Sequence, residues 1–66
     1  MEYKIGLKIK EFRSELKITQ KELAKLVNKS PTAVASWEQC LSEPCVNDIR
    51  QLCIIFDVSA DELLGL

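Results

Sequence analysis

Histidine is absent from this chain of 66 residues. That removes the usual proton shuttle near neutral pH and the commonest metal ligand. No base stands ready to activate a nucleophile, and so small a core leaves no room for a deep pocket. No catalytic residue, metal site or cofactor is therefore expected. Long apolar runs are also lacking. The longest, Leu52 to Phe56, falls far short of the ~20 residues that a membrane helix requires. The opening Met-Glu-Tyr-Lys-Ile-Gly contains no apolar leader. Together these absences predict a cytoplasmic protein without a membrane partner.

The cysteines are three, Cys40, Cys45 and Cys53, so they cannot all pair within one chain. Their spacing matches no metal motif, and without histidine a fourth zinc ligand would have to be a carboxylate or come from another chain. Free thiols in a reducing compartment are expected. Cys53 is placed on the core face of a helix as a small hydrophobe, and Cys45 where a serine would ordinarily cap one.

Net charge is only −1, but it is unevenly spread. Residues 1–33 hold eight basic against four acidic side chains, and residues 34–66 hold one basic against six acidic. The basic half could face phosphate. With 47% apolar and 29% charged residues the chain suits a small globular fold. Residues 1–66 are expected to form a single domain.

Apolar periodicity and capping signals divide the chain into five helices. Ile5, Ile9, Phe12 and Leu16 form one stripe of a first helix, and Ile18 packs in the connection that follows. Thr19-Gln20-Lys21-Glu22 is a capping box opening a second helix, about residues 20–27. Asn28, which tolerates positive φ, ends it. Ser30 and Pro31 then cap and start a third helix, about 31–39. Pro44 keeps Glu43 out of helical geometry, so residues 40–44 form a loop. Val46, Ile49, Leu52, Cys53 and Phe56 mark the core face of a fourth helix ending near Asp57. Ser59-Ala60-Asp61-Glu62 is a second capping box, opening a short last helix through Leu64. The expected fold is all-α, a compact five-helix bundle.

Within it, Gln20 to Trp37 has the spacing of a helix-turn-helix. Leu23, Ala24 and Val27 precede the turn at Asn28, and Val34 and Trp37 follow it facing the core. The small side chain of Ala24 allows the second short helix to approach the first. Core positions are expected at Phe12, Leu16, Leu23, Ala24, Val34, Trp37, Leu52 and Phe56. Leu7, Leu26, Leu41, Ile54, Leu64 and Leu66 exceed what that core needs.

Taken in order, Ile-Gly-x-x-Ile-x-x-Phe-Arg, Thr-Gln-x-Glu-Leu-Ala, Val-x-x-Trp-Glu, Glu-Pro and Val-Ser-x-Asp-Glu-Leu-Leu resemble the phage repressor and Cro-like (XRE-type) helix-turn-helix family. The resemblance runs from Ile5 to Leu66 and implies a lambda repressor-like DNA-binding domain. It implies a transcriptional regulator, specifically a repressor, with helix 31–39 in the major groove of double-stranded DNA. By the same resemblance Gln20 meets a phosphate and braces the reading side chains, while Pro31, Thr32 and Ser36 approach base edges. Lys21, Lys29, Ala35 and Gln39 complete the DNA-facing surface, Lys29 as a phosphate contact. Arg13 and Glu38 correspond to a structural salt bridge between the first helix and the end of the third. Contacts near the C-terminal helices imply a homodimer on a palindromic operator.

Three departures from the family pattern bear on function. The reading positions lack the bidentate Arg, Gln, Asn or Lys that discriminate bases best. The loop after the third helix, Cys40-Leu41-Ser42-Glu43, has no cation, and Cys40 stands where a glycine of positive φ is usual. Lys29 occupies a turn position that is usually apolar. The competing function is a protein-interaction module of the same fold, with a protein partner in place of DNA.

Overall fold

A computed structural model describes residues 5–66. The first four residues, including the Glu2 and Lys4 of the charge tally and most of the opening read as lacking a leader, lie outside the described residues. Among the described residues there are five helices and no strand: α1 (Ile5–Glu15), α2 (Gln20–Leu26), α3 (Pro31–Glu38), α4 (Val46–Phe56) and α5 (Ala60–Leu64). Val27 and Gln39, expected as the final helical residues of α2 and α3, are their C-caps.

α2, α3 and α5 each start on a side chain that replaces a missing intrahelical acceptor. Thr19 Oγ1 accepts from the Glu22 N–H at 3.1 Å, and Glu22 Oε1 accepts from the Thr19 N–H at 2.9 Å, completing the box. Ser30 Oγ accepts from the Ala33 N–H, with Pro31 in the first helical position. Ser59 Oγ accepts from the Glu62 N–H, and its hydroxyl donates to the Glu62 carboxylate. Cys45 differs from these. Its Sγ donates to Asp48 Oδ2 at 3.2 Å, and its backbone N–H donates to the same oxygen at 3.2 Å. The capping is done from the aspartate's side, because sulfur accepts poorly and a carboxylate accepts well.

All five helices stop by one device. A residue just past each end takes the left-handed conformation: Lys17, Asn28 and Cys40, two positions beyond the last helical residue, and Asp57, one beyond, near φ 60°, and Gly65, one beyond, at 77°. The N–H groups of that residue and its successor fold back onto the last turn, as in Asn28 to Lys25 O at 3.2 Å and Lys29 to Ala24 O at 2.8 Å. These paired bonds define a Schellman ending. Asn accepts that conformation readily, whereas Lys17 and Cys40 hold it at a cost of about 1 kcal/mol each relative to glycine.

The core joins Ile5 and Ile9 of α1, Leu23 and Ala24 of α2 with its C-cap Val27, Val34 and Trp37 of α3, Leu52 and Phe56 of α4, and Leu63 of α5. Phe12 and Ile18 pack against it partly buried, and the Phe12 and Phe56 rings meet at 5.6 Å. Two expected core residues lie elsewhere. Leu16 is 46% exposed, because α1 has already ended and the left-handed Lys17 turns the chain so that Ile18 enters the core instead. Val46 is 79% exposed. The buried face of α4 centres on Asp48, Leu52 and Phe56, and Val46 lies about 120° from Leu52 at 3.6 residues per turn. Gly6 is buried where α1 crosses the end of α3. A Cβ there would stand 1.9 Å from the Trp37 carbonyl oxygen, so only glycine permits this approach.

Candidate nucleic-acid interface

α2, the turn 27–30 and α3 act as one unit because both helices bury their facing sides. Leu23, Ala24 and Val27 meet Val34 and Trp37 in a seam closed to solvent. With Val34, Trp37 and Glu38 turned inward, the opposite side of α3 is fixed by geometry. Thr32, Ala35, Ser36 and Gln39 recur at the spacing of one helical face. Thr32 and Gln39 are exposed, and Ala35 and Ser36 partly so. Pro31 is exposed at the start of the same helix.

The far end of α3 is held by a cluster of three side chains. Arg13 Nε donates to Glu38 Oε2 at 2.6 Å, and Nη2 donates to Oε1 at 3.1 Å. Nη1 donates to the Ile18 carbonyl at 2.8 Å, so one guanidinium ties α1, the α1–α2 connection and α3 together. The hydrogen bond to Glu38 raises the Arg13 pKa above its ordinary value, against the lowering effect of burial, with the charge of Glu38 adding to it. Gln20 Nε2 also donates to Glu38 Oε1, at 3.0 Å. Gln20 is thereby fixed at the first position of α2, with its amide oxygen left to accept. Lys21 follows it on the exposed side of α2.

Lys29 does not stand free in the turn. Its Nζ lies 3.5 Å from Oδ1 of Asp48 in the first turn of α4. Asp48 is 4% exposed, a buried acid that the sequence pattern left unassigned. Its signal was the position three residues after a cap, where a side-chain acceptor faces back to the chain. Pro44, by sequence a helix breaker, is buried at the end of the 40–44 loop. The loop itself exposes Leu41, Ser42 and Glu43 beside α3. Cys40, Cys45 and Cys53 are free thiols, the first two exposed and the third half-buried, where burial pushes its pKa up.

Two short helices joined through a left-handed residue, the second presenting one open face and anchored through the other, define a helix-turn-helix protein. The chain belongs to the helix-turn-helix family, whose model matches residues 9–63. It is similar over nearly its whole length to the P22 c2 repressor bound to the synthetic operator 9T in the presence of Tl+. Identity is 33% and the TM-score 0.87, covering 97% of this chain and 96% of that one. The solution structure of the DNA-binding domain of the same P22 repressor is 35% identical with a TM-score of 0.85, over 91% of this chain and 79% of that one. The restriction-modification controller protein C.AhdI of Aeromonas hydrophila shares the fold at 24% identity and a TM-score of 0.83, covering 92% of each chain. No curated protein matches the sequence. Fold and family together make this chain a DNA-binding transcriptional regulator of the XRE type. Among the described residues no helix is long and apolar enough to cross a membrane.

Proposed function

We propose that residues 1–66 act as one DNA-binding domain of a cytoplasmic repressor, placing α3 in the major groove of double-stranded DNA as a homodimer on a palindromic operator. The observation that carries this reading is the single open face of α3, on which Thr32, Ala35, Ser36 and Gln39 align opposite a fully buried anchor. Thr32 and Ser36 offer one hydroxyl each, Ala35 and the Thr32 methyl suit a thymine methyl, and Gln39, at the C-cap and outside the reading positions Pro31, Thr32 and Ser36, adds a polar amide at the edge of the face. Pro31 packs against the backbone at the entry to the groove, and Gln20 and Lys21 meet phosphate beside it. Phosphate contacts from one copy are few, so a second copy supplies the remaining affinity and sets half-sites about one helical turn, 34–36 Å, apart. The protein has no catalytic role in this reading, in keeping with a family of regulators.

Selection from a random duplex pool tests it. Palindromic sequences with that half-site spacing are expected, and Thr32→Ala should change base preference at one position per half-site. An unpatterned pool, or a Thr32→Ala protein with unaltered preference, contradicts the assignment.

The exposed loop favours a second reading, as a module for a protein partner. Leu41 is 74% exposed beside Glu43, and the loop offers no cation to phosphate. Binding to duplex DNA that weakens steeply with salt excludes that partner-only role. No retention on DNA even at low salt supports it.

A further inference from the structure

Lys29 lies one residue before the cap of α3, beside the exposed Pro31 and Thr32. An unrestrained lysine there would reach the phosphate backbone flanking the recognition helix. Its ammonium instead sits against α4, 3.5 Å from Asp48 Oδ1. The two oxygens of Asp48 are unequally served. Oδ2 accepts from the N–H and the thiol of Cys45, whereas Oδ1 is buried and receives no hydrogen bond. A carboxylate so removed from water requires a nearby cation, and Lys29 provides it. The Lys29 side chain remains 42% exposed, so a phosphate would have to compete for an ammonium that solvent can reach but Asp48 retains.

We propose that Asp48 is a positioning residue for DNA binding: it holds the Lys29 ammonium against α4 and withdraws it from the phosphate backbone. This rests on the DNA-binding reading above. The consequence is selective. Phosphate contacts strengthen binding to every sequence alike, whereas base contacts discriminate. Withholding one cation at the turn lowers affinity for random DNA and leaves the choice of sequence to α3.

The test combines two readouts. In the free protein, brief amine acetylation followed by mass spectrometry should modify Lys29 more slowly than the exposed Lys25, and at an equal rate in Asp48→Asn. Equal rates in the unaltered protein would overturn the proposal without reference to DNA, and without dependence on a variant that folds. Binding to a random-sequence duplex is then followed by fluorescence anisotropy between about 50 and 200 mM salt. Asp48→Asn, which keeps an oxygen to accept from Cys45, should steepen the log–log salt slope by about 0.9, one phosphate contact. Lys29→Met in the Asp48→Asn background should restore the slope of the unaltered protein. A slope unmoved by Asp48→Asn, or still steep in the double variant, rejects the proposal. If the unaltered protein shows no salt-dependent binding, the functional reading fails instead, and the acetylation rates still decide whether Asp48 restrains Lys29.

Discussion

Gly6 and Cys53 show how single side chains set limits on this protein. At Gly6 the constraint is space, since the obstruction is the Trp37 backbone carbonyl rather than a movable side chain. Gly6→Ala should lower stability by about 3 kcal/mol or more, seen as an earlier urea midpoint or loss of folding. An unchanged midpoint would mean that α1 and α3 can separate without cost. At Cys53 the constraint is desolvation, which favours the thiol over the thiolate. A Cys53 pKa raised in the folded state leaves stability untouched below the ordinary value of 9.0. Stability then declines as pH climbs from there through the raised value, because the unfolded chain ionises first. Cys53→Ala should remove that part of any alkaline loss. Native thiol titration should show Cys40 and Cys45 reacting fast and Cys53 slowly, with three groups per chain after unfolding. Fewer than three would reveal a bridge.

Helices here depend on what closes their ends and on what pins one to another. α3 is eight residues long with no basic residue in its last turn, and its final side chain, Glu38, is buried. Held alone, that carboxylate would oppose the helix dipole. Arg13 reverses the balance with two hydrogen bonds to Glu38 and a third to the Ile18 carbonyl. Because the Arg13 pKa is raised above its already high ordinary value, chiefly by the hydrogen bond to Glu38, its charge persists at every ordinary pH. Arg13→Ala should cost about 3–5 kcal/mol, chiefly by leaving Glu38 buried and unpaired. Arg13→Ala combined with Glu38→Gln should recover part of the loss, since the uncompensated charge goes with it. Thermal unfolding of the two variants checks both statements. Failure of the second substitution to recover any stability would place the cost in lost packing instead.

At the scale of the molecule, the buried faces converge on one core and leave several large apolar side chains outside it. Ile54 is 77% exposed on α4, and Leu66 follows the end of α5. We place the interface of the proposed homodimer at these residues, which lie outside α3. Ile54→Lys should therefore shift sedimentation toward the monomer and weaken operator binding while preserving half-site preference. A monomeric parent protein, or an Ile54→Lys protein that dimerises undiminished, would move the interface elsewhere.

Much of this architecture was legible in the order of residues because its causes are local. Caps at Thr19, Ser30 and Ser59, the turn at Asn28 and the interval from Ala24 to Trp37 act within one or two helical turns. They define α2, α3, α5 and the helix-turn-helix without reference to packing, and apolar periodicity marks α1 and α4. Periodicity, however, gives the spacing of a stripe and not its centre or its end, and so it placed Leu16 and Val46 in a core that neither enters. The close approach at Gly6, the hydrogen bond of Gln20 to Glu38 and the pairing of Lys29 with Asp48 join residues far apart in the chain. Each depends on where one helix lies against another. The resemblance makes Lys29 a phosphate contact, whereas the position of its ammonium 3.5 Å from a buried carboxylate is decided by the packing of α4, because only the tertiary structure removes Asp48 from water and brings the two together.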